Sequence, residues 1–276
     1  MVALAVCALG LTACRGAETP ALAGPSPQSA PAKAAMATAS TQATTTSATS
    51  TTQSLAGKTV VIDPGHNGAD ASHASEIAQL VPMGFGQYKT CDTTGTNAVD
   101  GYSEHLFNFE VATLVQKLLE QRGIKVIMTR SNDDGVGPCV NQRAAIGNDA
   151  HADAAISIHS DGFATSGHGF QIIQAARSVG GTANDARSNA LSQALHSTFL
   201  AESGLTPSTY IGTDGYETRS DLAGLNLSTV PKVLVECGNM KNPGDDALME
   251  SSAGRARFAA AIADGIIDFL AHGSSS

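Results

Sequence analysis

Two histidines and two glutamates stand at places where regular structure begins or ends. His66 closes the run Val60-Val61-Ile62-Asp63-Pro64-Gly65-His66, and His159 closes Ala155-Ile156-Ser157-Ile158-His159. Glu236 closes Lys232-Val233-Leu234-Val235-Glu236, and Glu104 opens a long amphipathic stretch. Two imidazoles and one carboxylate make up the donor set of a catalytic zinc ion, which keeps its fourth position for water. A second carboxylate beside such a site serves as general base, because the metal acidifies the water and polarises a carbonyl. The types divide accordingly: His66, Glu104 and His159 as zinc ligands, one Zn2+ per chain, and Glu236 as the catalytic base. No short motif fixes their geometry, so the fold must bring them together.

The elements that would do so are visible as patterns. Short β-branched runs at 58–62, 124–129, 154–158, 169–174 and 232–235 read as strands. Between them, 104–122 places Phe107, Val111, Leu114, Leu118 and Leu119 at helical spacing, with Gly123 as a stop. Helices are also expected at 141–150, at 183–203 with Leu191, Leu195 and Phe199 on one face, and at 246–270. Strands alternating with helices predict an α/β fold: a single domain with a mainly parallel twisted sheet and helices on both faces. In such sheets ligands collect beyond the carboxyl ends of the strands, where His66, His159 and Glu236 fall.

The chain ahead of that domain has a different character. Residues 1–13 are small and apolar and read as an export signal, too short to span a bilayer. Leu11-Thr12-Ala13-Cys14 matches a bacterial lipobox, so Cys14 is the candidate lipidation site and the membrane a partner through an N-terminal lipid anchor. Residues 15–56 are dominated by Ala, Ser, Thr and Pro and read as a disordered tether, leaving 58–272 as the catalytic domain. The expected location is the cell envelope, either lipid-anchored to the outer face of the membrane or released as a periplasmic or secreted protein.

Charge narrows the partners. With 25 acidic against 16 basic residues and a net charge of −9, the chain offers no basic face, which excludes nucleic acid. A monomer is expected. Of the five cysteines, Cys7 and Cys14 lie in the leader; Cys91 and Cys139 are the expected disulfide in an oxidising compartment, and Cys237 reads as a buried thiol. The 67–103 connection is long and partly apolar. It either lines the cleft or packs as a surface hairpin.

Taken in order, Val61-Ile62-Asp63-Pro64-Gly65-His66, Gly101-Tyr102-Ser103-Glu104 with Asn108, Ile156-Ser157-Ile158-His159-Ser160-Asp161 and Leu234-Val235-Glu236-Cys237-Gly238 resemble the zinc-dependent N-acetylmuramoyl-L-alanine amidases of the amidase-3 family. The likeness spans the folded part and is nearest to actinobacterial members without a separate wall-binding domain. It implies hydrolysis of the amide between the lactyl group of N-acetylmuramic acid and L-Ala of the stem peptide, with peptidoglycan or muramyl peptides as partners. It also implies the same four site residues, His66, Glu104, His159 and Glu236. Family members carry an Arg at Arg143, the candidate substrate contact; an ion pair to an Asp is the structural alternative. Asn239 stands where the family often has an aromatic residue. Two rival functions remain for the same residues: a silent or regulatory wall-binding lipoprotein, and a zinc peptidase cutting within the stem peptide.

Overall fold

A computed structural model describes residues 55–272. The expected export signal, Cys14 and nearly all of the expected tether lie outside the described residues. Leu55, assigned to the tether by the composition around it, is instead buried and belongs to the main apolar core. It is a lone large aliphatic side chain ahead of the first strand, and packing decides its place where composition could not.

Among the described residues the strands are β1 Thr59–Pro64, β2 Leu80–Gly84, β3 Gln87–Thr90, β4 Lys125–Met128, β5 Ala154–Asp161, β6 Gln171–Ala175, β7 Tyr216–Arg219 and β8 Lys232–Asn239. The helices are α1 Ala74–Ile77, α2 Glu104–Glu120, α3 Val140–Asp149, α4 Gly181–Glu202, α5 Ala223–Asn226, α6 Pro243–Glu250 and α7 Ser252–His272. Six strands form one sheet in the order β4-β1-β5-β8-β6-β7, while β2 and β3 make a separate hairpin. β4, β1, β5 and β8 run parallel; β6 pairs antiparallel with β8, and β7 runs parallel to β6. The predicted α/β architecture with a mainly parallel sheet therefore holds, and the antiparallel turn at β6 is its one departure.

Alternation along the strands separates two faces. Val60 and Ile62 of β1, Ile156 and Ile158 of β5, and Val233 and Val235 of β8 join a core closed by Phe107, Val111 and Val115 of α2. Leu191, Leu195 and Phe199 of α4 and Phe258, Ile262 and Ile266 of α7 complete it. The intervening residues point the other way, toward α3 and α5. They form only small clusters, one around Val61 and Ala155 and one of Ile173, Leu225 and Leu234. Asp63, Ser157, His159, Asp161, Lys232 and Glu236 belong to this second set and line a cleft there.

The terminal helix expected as one element is two. Ser251 is extended, with φ −80° and ψ 136°, and breaks the helix between α6 and α7. Its Oγ accepts the Gly254 N–H at 3.0 Å, and Arg255 Nη1 caps the open carbonyl of Met249 at 2.8 Å. Side-chain capping thus offsets the lost backbone bonds at a junction that carries no Pro.

Candidate active site

β1 delivers His66 through a turn that only glycine permits. A Cβ at Gly65 would lie 2.0 Å from His159 Cε1, so the imidazole of the neighbouring strand occupies the space of the missing side chain. His66 is itself left-handed, with φ 57°, an uncommon conformation for a non-glycine residue. Its Nδ1 lies 2.6 Å from the carbonyl oxygen of Thr93. A carbonyl only accepts, so Nδ1 carries a proton and Nε2 is the nitrogen that a metal would use. That Nε2 lies 3.2 Å from Glu104 Oε1, and His159 Nδ1 lies 3.0 Å from the same oxygen. The two rings meet edge to face with centroids 4.9 Å apart.

Glu104 is the first residue of α2, where the positive end of the helix favours a carboxylate. Its Oε2 accepts the Thr96 N–H at 2.9 Å, and its Oε1 accepts the Ser160 N–H at 3.3 Å. Burial opposes charge here, yet His66 and His159 outweigh it and hold Glu104 well below the usual carboxylate range. Glu236 sits beside His159 in the parallel β5–β8 ladder. Its Oε2 is buried and has no hydrogen-bond partner among the described residues. Burial, reinforced by Glu104 and Asp161, pushes this second carboxyl well above its ordinary value. Neighbouring carboxyls driven apart in this way suit one to a charged, ligand-like role and the other to proton traffic.

The donor set suits zinc. One atom from each of His66, Glu104 and His159 lies within 4.8 Å of the other two. Electron pairs brought this close repel unless a cation or proton stands among them, and the N/N/O composition matches a catalytic zinc site. The Thr93 carbonyl supports His66 as an outer partner that fixes the tautomer of a ligand. A second grouping of His66, Asp70 and Asp92 does not suit a metal. The His66 nitrogen facing Asp92 is the protonated Nδ1, and both carboxylates are taken by Asn67, at 2.9 Å to Asp70 Oδ2 and 3.1 Å to Asp92 Oδ2.

Beneath these groups runs a buried ionic floor. Arg143 Nη1 donates to Asp63 Oδ1 at 2.9 Å and to the Pro64 carbonyl at 2.8 Å. Its Nη2 reaches the His66 carbonyl at 3.1 Å, Asn67 Oδ1 at 3.0 Å and Asp92 Oδ2 at 3.2 Å, while Nε takes the Pro138 carbonyl at 2.9 Å. Every nitrogen is engaged and the residue is 3% exposed. The substrate contact expected of Arg143 is therefore replaced by the alternative: it braces the turn that carries His66. Lys232 Nζ donates to the other oxygen of Asp63 at 2.9 Å. Burial raises the Asp63 pKa, but Lys232 and Arg143 together hold it far below the usual range. Lys232 and Asp92 were missed in the sequence. A lysine opening an apolar strand, and an aspartate next to a bridged cysteine, are the signals that could have found them.

The 67–103 connection is both of its expected alternatives at once. β2 and β3 make a hairpin, and residues from Lys89 to Thr96 line a cleft of about 410 Å³ together with His66, Glu104, His159 and Glu236. Gly95 lies against the site so closely that a Cβ would come 2.8 Å from both Glu104 Oε2 and His66 Cδ2. Cys91 and Cys139 are bonded, tying this wall to the start of α3. Cys237 is buried, and burial pushes its thiol well above the ordinary value, as an inert core residue requires. Asn239 uses its buried side chain as a clip, accepting the Phe163 N–H at 2.9 Å and donating to the Gly167 carbonyl at 2.7 Å.

The family model Amidase_3, described as N-acetylmuramoyl-L-alanine amidase, matches residues 60–268. The chain belongs to this family. Over 219 residues it is 43% identical to N-acetylmuramoyl-L-alanine amidase Rv3717 of Mycobacterium tuberculosis, covering 79% of this chain and 88% of that one. The crystal structure of the amidase Ami1 from Mycobacterium smegmatis superposes with a TM-score of 0.75 at 43% identity, over 80% of this chain and 99% of Ami1. Ami1 from Mycobacterium abscessus gives 0.74 at 45% identity, over 78% and 99% of the two chains. This chain is an N-acetylmuramoyl-L-alanine amidase of this family. Its convergent His and Glu side chains occupy the C-terminal ends of β1, β5 and β8 and the N-terminus of α2.

Proposed function

We propose that the enzyme hydrolyses the amide between the lactyl group of N-acetylmuramic acid and L-Ala, with His66, Glu104 and His159 holding one zinc ion and Glu236 as general base. The observation that carries this reading is the gathering of one donor atom from each of His66, Glu104 and His159 within 4.8 Å of one another, in a cleft with a buried, unpartnered Glu236 oxygen. Bound there, zinc would supply Lewis acidity to the scissile carbonyl and acidify water. Glu236 takes a proton from the attacking water and passes it to the departing L-Ala nitrogen, so that water and amide become a lactyl carboxylic acid and a free amine. The Thr93 carbonyl and the Thr96 N–H keep His66 and Glu104 aimed while this happens. An enzyme acting on peptidoglycan works outside the membrane, which agrees with residues 1–13 as an export signal and with acylation at Cys14 followed by a tether.

The test uses the full chain with N-acetylmuramoyl peptides, with zinc and with a chelator, reading new L-Ala amino termini. Zinc-dependent release is expected, and Glu236→Ala should lose about 10³-fold or more in turnover while keeping one zinc per chain. A Glu236→Ala enzyme of near-normal rate would falsify the assignment of the base. Release of a different amine would identify a stem-peptide peptidase, and no release with metal bound would identify a binding protein.

A further inference from the structure

Beyond the reacting groups the cleft continues beneath the β2–β3 hairpin. Its walls there are Lys89 and Thr90 of the hairpin, Val140 at the start of α3, and Leu222, Ala223 and Gly224 at α5. Three separate elements thus wall this side of the cleft. Of the cations that line the cleft, Arg143 and Lys232 are held by Asp63 and Asp92 in the ionic floor, and Lys89 and Arg219 differ in their circumstances. Arg219 is matched by carboxylates of the protein: Nε and Nη2 fork onto Asp221 at 2.8 and 2.6 Å, and Glu217 lies 3.7 Å from Nη1.

Lys89 is half-buried and has no such match. An ammonium carries three N–H donors, and Lys89 Nζ makes one hydrogen bond, to the backbone carbonyl of Asp221 at 2.9 Å. No ion pair forms to it among the described residues. Burial, opposed by Asp221 and assisted by Arg219, holds its pKa below the ordinary lysine range. The side chain is nonetheless well positioned. Cys91, two residues on, is bonded to Cys139, and Asn226 Nδ2 donates to the Met83 carbonyl of the same hairpin at 3.1 Å. A partly desolvated cation with two unused donors, fixed on the wall of the cleft, is built to meet an anion.

We propose that Lys89 recognises a free carboxylate carried by the stem peptide one residue beyond L-Ala. The inference rests on the amidase reading of the site, since that reading puts the scissile nitrogen at Glu236 and sends the peptide away from it. An extended chain advances about 3.5 Å per residue, so the second residue lies about 7 Å from the scissile nitrogen. Recognition at that position selects among substrates without touching the reacting atoms, and it appears in KM rather than in kcat.

Two N-acetylmuramoyl peptides test this, identical except at the second residue, whose α-carboxyl is free in one and a carboxamide in the other. With the zinc-loaded full chain, the free acid should have a KM about tenfold lower, an advantage that shrinks as ionic strength rises. Lys89→Met should erase the ratio by raising the KM of the acid, and Lys89→Arg should keep it. A wild-type ratio near one would overturn the proposal, as would a Lys89→Met enzyme that keeps the preference or one that weakens both substrates equally. The wild-type ratio and its salt dependence decide the matter even if the variants fold poorly. Cleavage of neither peptide would instead strike down the amidase reading, and the role of Lys89 with it.

Discussion

The two faces of the central sheet are built from the same strands and share almost no chemistry. On one, Val60, Ile62, Ile156, Ile158, Val233 and Val235 meet the long helices α2, α4 and α7, where Phe258 stacks on Phe199 and meets Phe107 edge to face. On the other, one residue along, come Asp63, Ser157, His159, Lys232 and Glu236, covered by shorter helices, a hairpin and a disulfide. The apolar face gains stability by area removed from water, which is indifferent to small shifts. The polar face depends on ion pairs and hydrogen bonds whose desolvation is offset only when each group has its partner. Stability and reactivity are thus divided by the two-residue period of a strand.

Damage to each face should therefore read out differently. After the loss of Glu236 itself, the largest effect on activity is expected from Gly65→Ala, whose Cβ would overlap the His159 ring at 2.0 Å. Displacing a ligand by even an ångström should cost about a hundredfold or more in kcat/KM, with lower zinc content by metal analysis; wild-type turnover would mean that the ring has room to move. Phe199→Ala, wholly buried on the other face, should cost about 3–5 kcal/mol in denaturant unfolding while leaving zinc stoichiometry intact. A variant that lost its metal with little loss of stability would break the proposed division. The smallest change is expected when Cys91 and Cys139 both become Ser. Opening a link between residues 48 apart should cost about 2–4 kcal/mol, raise KM several-fold and spare the metal. A drop in zinc content as large as that of Gly65→Ala would show that the hairpin wall holds the ligands as firmly as the strands do.

What could be read from the sequence follows the same line. β1, β5 and β8 are legible because strands buried on both faces read as continuous apolar runs, and the residues that follow them must face the edge where ligands gather. The hairpin was legible only as one of two alternatives for 67–103, without its strands. Leu80–Gly84 contains a proline, Gln87–Thr90 is polar, and both are held by distant partners such as Asn226 and Cys139. β7, with the sequence Tyr-Glu-Thr-Arg, is an edge strand too short and too polar to show alternation. The antiparallel direction of β6 follows from the short, helix-free connection that leads to it from β5, since a parallel return needs a crossover, and periodicity is silent on that choice. Arg143 could be placed near the site, but whether it faced a ligand or an aspartate depended on Asp63 and Asp92, which lie 80 and 51 residues away.

The bond between Cys91 and Cys139 also ties the enzyme to an address. Thiols stay apart in a reducing compartment and join in an oxidising one. One wall of the cleft, carrying Lys89, Thr93 and Gly95, is therefore fastened only once the chain has reached oxidising surroundings. Maturation then becomes a matter of surroundings: in a reducing compartment the chain lacks the clasp, and in an oxidising one the cleft gains it.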